Sequence, residues 1–399
     1  MYAKTDNVLK VAERSAQLLN SLTEQIQAQK KEFDLDSFYQ VYSKAGLTKL
    51  PLLSKAIVDK AVSEMESEGY QFSKRKAGSF EKYAITIENI VDIYHHRGVP
   101  KYRQKHTNAF SIFVGNLKGG VSKTVSTVSL AHALRTHPAL IKEDLRILVI
   151  DLDPQASATM FLNHAHAVGS VNATSAQAIL QNVSREELLT EFIVNSGVPS
   201  VDVIPASIED AFIASNWDEL CAEHLPNQKP YHLLRENIID KLNKDYDFIF
   251  IDSGPHLDAF LINALASADL LMTPIPPAQV DFHSTLKYLN RLPELLTLIE
   301  QSGVEPRLIT NIGFMSKLAN KADHKLCHSL AKEVFGGDML DVAMPRLDAF
   351  ERCGESFDTV ITANPTTYIG SNEALKSARH AAEDFSRAVF DRIEFIRNN

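Results

Sequence analysis

Lys118-Gly119-Gly120-Val121-Ser122-Lys123-Thr124 follows directly on the apolar, β-prone run Phe110–Val114 and opens a helical stretch, Thr124–Thr136. A loop between a strand and a helix N-terminus turns successive backbone N–H groups toward one spot, beside the positive end of the helix dipole. That arrangement suits a polyphosphate. Gly119 and Gly120 let the backbone come close without a Cβ in the way. Lys123 supplies a point charge for the β- and γ-phosphates of a nucleotide, and the Thr124 hydroxyl can ligate Mg²⁺. The common expression GxxxxGK[ST] is not met, because Leu117 and Ser122 stand where it has glycine. The pattern is KGGxxK[ST], with Lys118 as a second lysine at its head.

From this loop outward the rhythm is strand, then helix. Apolar β-prone runs recur at Ile147–Ile150, Val201–Ile204, Phe248–Ile251, Leu270–Met272, Leu308–Ile309 and Met339–Met344. Helical stretches separate them, among them Tyr231–Asn243, Phe282–Glu300 and Ala322–Val334. Short apolar runs alternating with helices predict an α/β fold, a mostly parallel sheet with helices on both faces. Two of the runs deliver carboxylates at their ends: Asp151-Leu152-Asp153-Pro154-Gln155 and Asp252-Ser253-Gly254-Pro255. Ligands in open α/β sheets sit beyond the carboxyl ends of strands, so these two loops and the glycine loop are expected to converge. One carboxylate there can hold Mg²⁺ through water and another can orient an attacking water.

The chain has 399 residues, 45% hydrophobic and 23% charged, which is the composition of a globular protein and excludes disorder throughout. No apolar run reaches the length of a membrane span, and the charged first thirty residues do not read as a signal sequence. Cys221, Cys327 and Cys353 are odd in number and far apart, which fits a reducing cytoplasm rather than a disulfide framework. The net charge of −9 is uneven: +4 over residues 1–105, −12 over 106–306 and −1 over 307–399. The flanks can therefore meet DNA more readily than the middle.

Three regions are expected: an N-terminal helix (1–33), a winged helix-turn-helix DNA-binding domain (34–100) and a nucleotide-binding domain (106–399), with Lys101–Asn108 as a polar linker. Within 4–31, Leu9, Ala12, Ala16, Leu19, Leu22 and Ile26 form one apolar stripe. The stripe reads either as docked on its own domain or as a helix–helix dimer contact. Asp36–Ala45 reads as a short helix, and Ser54 as the N-cap of a helix closed by Gly69. Tyr70–Phe72 and Lys82–Ile87 read as a hairpin whose basic tip holds Lys74, Arg75 and Lys76. A wing of that kind touches phosphate while a helix enters the major groove; a solvated loop on a small helical cap is the plainer alternative.

The three nucleotide loops together resemble the ParA/MinD group of deviant Walker-A ATPases, and within it the long plasmid-partition ParA proteins with an N-terminal DNA-binding region. Lys118–Thr124 is similar to the deviant Walker A, Asp151–Gln155 to the Walker A′ or switch I, and Asp252–Pro255 to the Walker B with switch II. The resemblance implies an ATPase that binds ATP or ADP with Mg²⁺ and forms an ATP-bound homodimer. It implies that Lys118 reaches the partner's phosphates, that Lys123 and Thr124 serve phosphate and Mg²⁺, that Asp151 and Asp252 hold Mg²⁺-bound water, and that Asp153 positions the hydrolytic water. Gly119, Gly120, Val121 and Ser122 would cradle the phosphates, and Asn311, Pro345 and Arg346 would meet adenine. Ser122 stands where many members have glycine.

The same resemblance implies slow turnover stimulated by a ParB-like centromere-binding protein, non-specific binding to nucleoid DNA with ATP, and ADP-favoured repression of the protein's own operator. A nucleotide-controlled repressor with incidental ATPase activity is the alternative. Lys376 and Arg379, three apart on the final helix (about Asn372–Ile396), with Arg352 in a preceding loop, are candidates for non-specific DNA contact or for an ordinary solvated face. Phe390, Ile393 and Ile396 are interleaved with Asp391 and Glu394, which suits docking on protein better than a membrane surface. No membrane partner is expected, and the cysteines do not match the context of a shared iron–sulfur cluster.

Overall fold

The computed structural model describes residues 5–32, 38–77, 80–166 and 173–398. Strands β1 (Lys74–Ala77) and β2 (Phe80–Tyr83) pair as a separate antiparallel hairpin. Strands β3 (Phe110–Val114), β4 (Ile147–Asp151), β5 (Val194–Asn195), β6 (Val201–Ile204), β7 (Phe248–Asp252), β8 (Leu270–Ile275) and β9 (Thr310–Met315) form one sheet. Its order is β5-β6-β4-β7-β3-β8-β9, parallel throughout except for the β5–β6 edge. Central strands read as unbroken apolar runs because both faces are covered. Phe113, Leu148, Ile150, Ile249 and Ile251 face one core, closed by helices that include Ala259–Ser267 and Gln279–Gln301. Ile112, Val114, Val149, Phe248 and Phe250 face the other, closed by Lys123–Thr136 and the final helix Asn372–Asn398. The final helix buries Leu375, Ala378, Ala382, Phe385, Val389 and Ile393, the residues its helical spacing selects.

β4, β7 and β3 are neighbours, with Asp151 level with Asp252 and Asp252 level with Val114. Their carboxyl ends therefore open onto one crevice, where the order of the sheet reverses on the β3 side.

Several boundaries differ from those expected. Leu308–Ile309 is not a strand; Ile309 N–H donates to Asp269 O, and pairing with β8 starts at Thr310. Met339–Met344 does not form a ladder but touches β9 at single points, with Leu340 N–H on Gly313 O and Met344 N–H on Met315 O. Tyr231–Asn243 is broken into a wide-turn helix, Arg235–Ile239, and a short α-helix, Asp240–Leu242.

In the N-terminal module the helix expected at Asp36–Ala45 is a single turn, Lys44–Leu47, capped by Ser43; Tyr42 instead bridges Ile85. Residues 33–37 lie outside the described residues. Ser54 caps Lys55–Ser67, and Gly69 follows at φ +95, where a side chain would be strained. The basic residues sit on β1 itself rather than at a tip, because the hairpin is shifted along the chain from Tyr70–Phe72; Gly78 lies outside the described residues. The core of this module takes in Ile141 of the neighbouring domain. Nor is Lys101–Asn108 a loose linker. Tyr102 is buried in a helical turn, Tyr102–Lys105, and its hydroxyl donates to Glu394 on the final helix. The long first helix runs Asp6–Glu32; Leu9 and Leu19 are 58% and 52% exposed, so this stripe is not docked on its own domain among the described residues.

Candidate functional site

The glycine loop is held at its start by Asn116. Asn116 Oδ1 accepts from Lys118 N–H, while its amide donates to Pro274 O and Thr285 Oγ1. Ser122 takes φ +72 and Gly120 φ +75, both left-handed conformations. Ser122 therefore accepts the backbone conformation for which glycine is the usual residue. Lys123 is 7% exposed, and its ammonium lies 3.3 Å from Lys118 O. Burial lowers its pKa, opposed by Asp252 and Asp153. A buried ammonium in a glycine loop that opens a helix suits an anion.

Across the crevice, Thr124 Oγ1 donates to Asp252 Oδ2 at 2.7 Å. The second oxygen of Asp252 is buried without a hydrogen-bond partner. Asp151 is held by its own segment: Oδ2 accepts from Thr159 N–H and Oγ1, and Oδ1 from Asp153 N–H, which leaves acceptor capacity on Oδ1. Burial pushes Asp151 up to about 7, against the pull of the Thr159 bonds. Burial, and then the neighbouring Asp151, push Asp252 upward too. A hydroxyl beside a carboxylate with an open, buried oxygen fits a hard divalent cation that keeps several waters. Asp153 faces the cavity from the far side, where Gly254 leaves room for it: a Cβ on Gly254 would stand 3.3 Å from Asp153 Oδ1.

Gly119, Gly120, Ser122, Lys123, Thr124 and Asp153 line a cavity of about 410 Å³ whose outer wall is Met344, Pro345, Arg346, Leu347 and Phe350. Pro345 and Arg346, which the resemblance assigns to adenine, belong to this wall. Asn311 does not. Because β9 starts at Thr310, Asn311 lies within the strand, bonded to Thr273 Oγ1 at 2.8 Å, and does not line the cavity. Lys317, just past the end of β9, lines it instead and donates to Gly120 O at 2.9 Å. A lysine following the apolar run Gly313–Met315 was the available signal; the misplaced strand concealed it. Thr159, which holds Asp151, carries no signal beyond its hydroxyl. Lys118 pairs within the chain with Asp281, at 3.3 Å.

Residues 15–106 match the family described as the ParA helix turn helix domain, and residues 110–302 the family described as the AAA domain. Over 390 residues, 98% of each chain, the sequence is 72% identical to plasmid partition protein A of Escherichia coli. The chain belongs to the ParA family of plasmid partition ATPases. It is 28% identical over 236 residues to the SopA protein of Escherichia coli K12, covering 57% of this chain and 56% of that one. The solved structure of a partition protein superposes with a TM-score of 0.80 at 51% identity, covering 98% of this chain and 99% of that one. Cobyrinic acid a,c-diamide synthase of Mycobacterium smegmatis, with a bound ATP analogue and magnesium, shares the fold at a TM-score of 0.52 and 19% identity, over 72% of this chain and 96% of that one.

The ParA-family module at residues 15–106 presents Arg75 and Lys76 exposed on β1, while Lys74 leans on the Tyr83 ring and pairs with Glu66 at 3.9 Å. Of the other candidate DNA contacts, Lys376 is exposed, and Arg352 is exposed but on a helix, Asp348–Glu355, not in a loop. Arg379 is turned inward. Its guanidinium donates to Val360 O and Ala363 O and stacks over Tyr39, so it does not share a solvent face with Lys376. Carbonyls at the end of the 359–363 turn capture it, an outcome that helical spacing alone does not reveal. Among the described residues no helix is long and apolar enough to cross a membrane.

Proposed function

We propose that this protein hydrolyses ATP to ADP and phosphate to drive plasmid segregation. In this reading Gly119–Ser122 cradle the phosphates, Lys123 pairs with the β- and γ-phosphates, and Thr124 with Asp252 holds Mg²⁺ while Asp151 fixes its water. Bound Mg²⁺ would neutralise charge developing on the phosphates. Asp153 orients the attacking water. Little covalent chemistry is asked of the chain; position and charge lower the barrier. The observation that carries the reading is Lys123, a buried ammonium that lines the cavity together with Gly119, Gly120 and Thr124. Lys123→Ala is expected to reduce ATP turnover below detection; turnover at the wild-type rate would reject the assignment.

The finer reading has three further parts. Lys118 exchanges Asp281 for the partner subunit's phosphates in an ATP-bound homodimer, so the free chain turns over slowly until a ParB-like partner stimulates it. Residues 1–33 form the dimer contact, supported by the exposed stripe of the first helix. Residues 34–100 read operator DNA in the ADP form, with Arg75 and Lys76 on phosphate, while the ATP-bound nucleotide-binding domain (106–399) binds nucleoid DNA without sequence preference. Gel shifts on operator and random DNA with each nucleotide test this division. Tight operator binding with ADP and no random-sequence binding with ATP would leave a repressor alone.

A further inference from the structure

Lys317 follows β9 in the left-handed conformation, φ +53, which an L-residue takes at a cost. Its neighbours fix it there. Ser316 is fully buried and donates its N–H to Ile275 O, while Leu318 donates to Met344 O and accepts from Arg346 N–H. The Lys317 backbone is therefore fastened to the outer wall of the nucleotide cavity. Its ammonium ends on the phosphate loop, 2.9 Å from Gly120 O, so the side chain spans from wall to loop. Lys123 is held in the same way, with its ammonium on Lys118 O at 3.3 Å. The cations of the cavity lining are Lys123, Lys317 and Arg346. Lys123 has Asp252 and Asp153 nearby, whereas no carboxylate pairs with Lys317 among the described residues. An ammonium carries three donors, and the bond to Gly120 O uses one.

We propose that Lys317 is a nucleotide-binding residue that takes the α-phosphate of ATP or ADP. This rests on the reading that the cavity holds an adenine nucleotide. The assignment follows from where the side chain starts and ends. The wall it starts from carries Met344, Leu347 and Phe350, apolar side chains that suit a base, and the loop it ends on is the phosphate end. Between the base and the β-phosphate of a nucleotide lie the ribose and the α-phosphate, and of these the α-phosphate is the anion. An ammonium that leaves Gly120 O for it exchanges a neutral acceptor for a charged one, which makes the stronger bond. ATP and ADP share the α-phosphate, so the contact adds equally to the binding of both. It adds equally to ground and transition states too, whereas Lys123 acts on the β- and γ-phosphates, where charge develops.

The test is calorimetric titration of the full chain with ADP and with ATP, alongside ATP turnover, in wild type, K317M and K317R. K317M keeps an unbranched side chain and removes its charge; K317R keeps the charge. Lys317 is exposed, and screening by water holds the expected effect to about tenfold. K317M weakens ADP and ATP by that same factor and raises KM for ATP about tenfold while lowering kcat less than about threefold. K317R stays within about threefold of the wild type for both nucleotides. Wild-type affinity for both nucleotides in K317M overturns the proposal. So does weakening confined to ATP, which would move the ammonium to the γ-phosphate. Equal losses in K317M and K317R also overturn it, since they would make the lysine a structural support rather than a cation for the nucleotide. Absence of heat from either nucleotide in the wild type rejects the nucleotide site itself, so that failure is told apart from the failure of Lys317 alone.

Discussion

Ser122 and His132, ten residues apart on the same loop and helix, show how single positions set the character of the site. At φ +72 an L-residue costs roughly 1–2 kcal/mol relative to glycine, less the extra unfolded-state entropy that glycine brings. Ser122→Gly is therefore expected to keep ATP turnover and to raise unfolding free energy in urea by about 1 kcal/mol or less. His132 is fully buried, with one ring nitrogen 2.9 Å from Thr359 Oγ1 and the other 3.2 Å from Ser196 Oγ. Burial drives its imidazole from 6.5 down to about 3. The native state then holds the neutral ring while the unfolded chain takes a proton. Its contribution is whole above pH 6.5 and is lost as pH falls, by about 1.4 kcal/mol per unit. Between pH 7 and pH 5 the wild type should lose about 2 kcal/mol more unfolding free energy than His132→Gln. Equal losses in the two would refute the assignment.

At the scale of the element, the final helix separates two basic residues that the sequence pairs. Lys376 points to solvent, and Arg379 caps the carbonyls of Val360 and Ala363. If Lys376 meets phosphate, Lys376→Ala weakens binding to random DNA and reduces the slope of log affinity against log salt by about 1. Arg379→Ala instead costs roughly 2–4 kcal/mol of stability, two charge-assisted bonds' worth, and leaves that slope unchanged. Salt titrations and urea melts on the two variants decide between the roles. The spacing of three was legible in the sequence; the turn that claims one member of the pair was not, since its carbonyls belong to a segment with no regular pattern. Asn311 was misplaced for a related reason. The apolar pair Leu308–Ile309 looks like a strand, but pairing with β8 selects Thr310–Met315, and register is a property of two segments rather than one.

Across the whole molecule, the segment that follows the N-terminal module is tied to the nucleotide domain by charge, and the module itself by apolar contact through Ile141. Asp144 draws in Lys101 at 2.8 Å, Arg103 at 3.4 Å and Arg135 at 3.4 Å, while Arg135 is 2% exposed. Asp144→Ala strands that guanidinium, a change expected to cost about 3–5 kcal/mol and to be visible as a lowered urea midpoint; Arg135→Met made together with it should recover most of the loss. By itself the sequence determined the strand–loop–helix order, the phosphate loop and the two carboxylate loops, because apolar periodicity and short motifs act within a few residues along the chain. Only the tertiary structure decided that Lys317 and not Asn311 enters the cavity, that Arg379 is spent on its own backbone, and that Tyr102 ties the presumed linker to the last helix. Those outcomes depend on which distant segments meet, and that is set by the packing of the sheet's two faces.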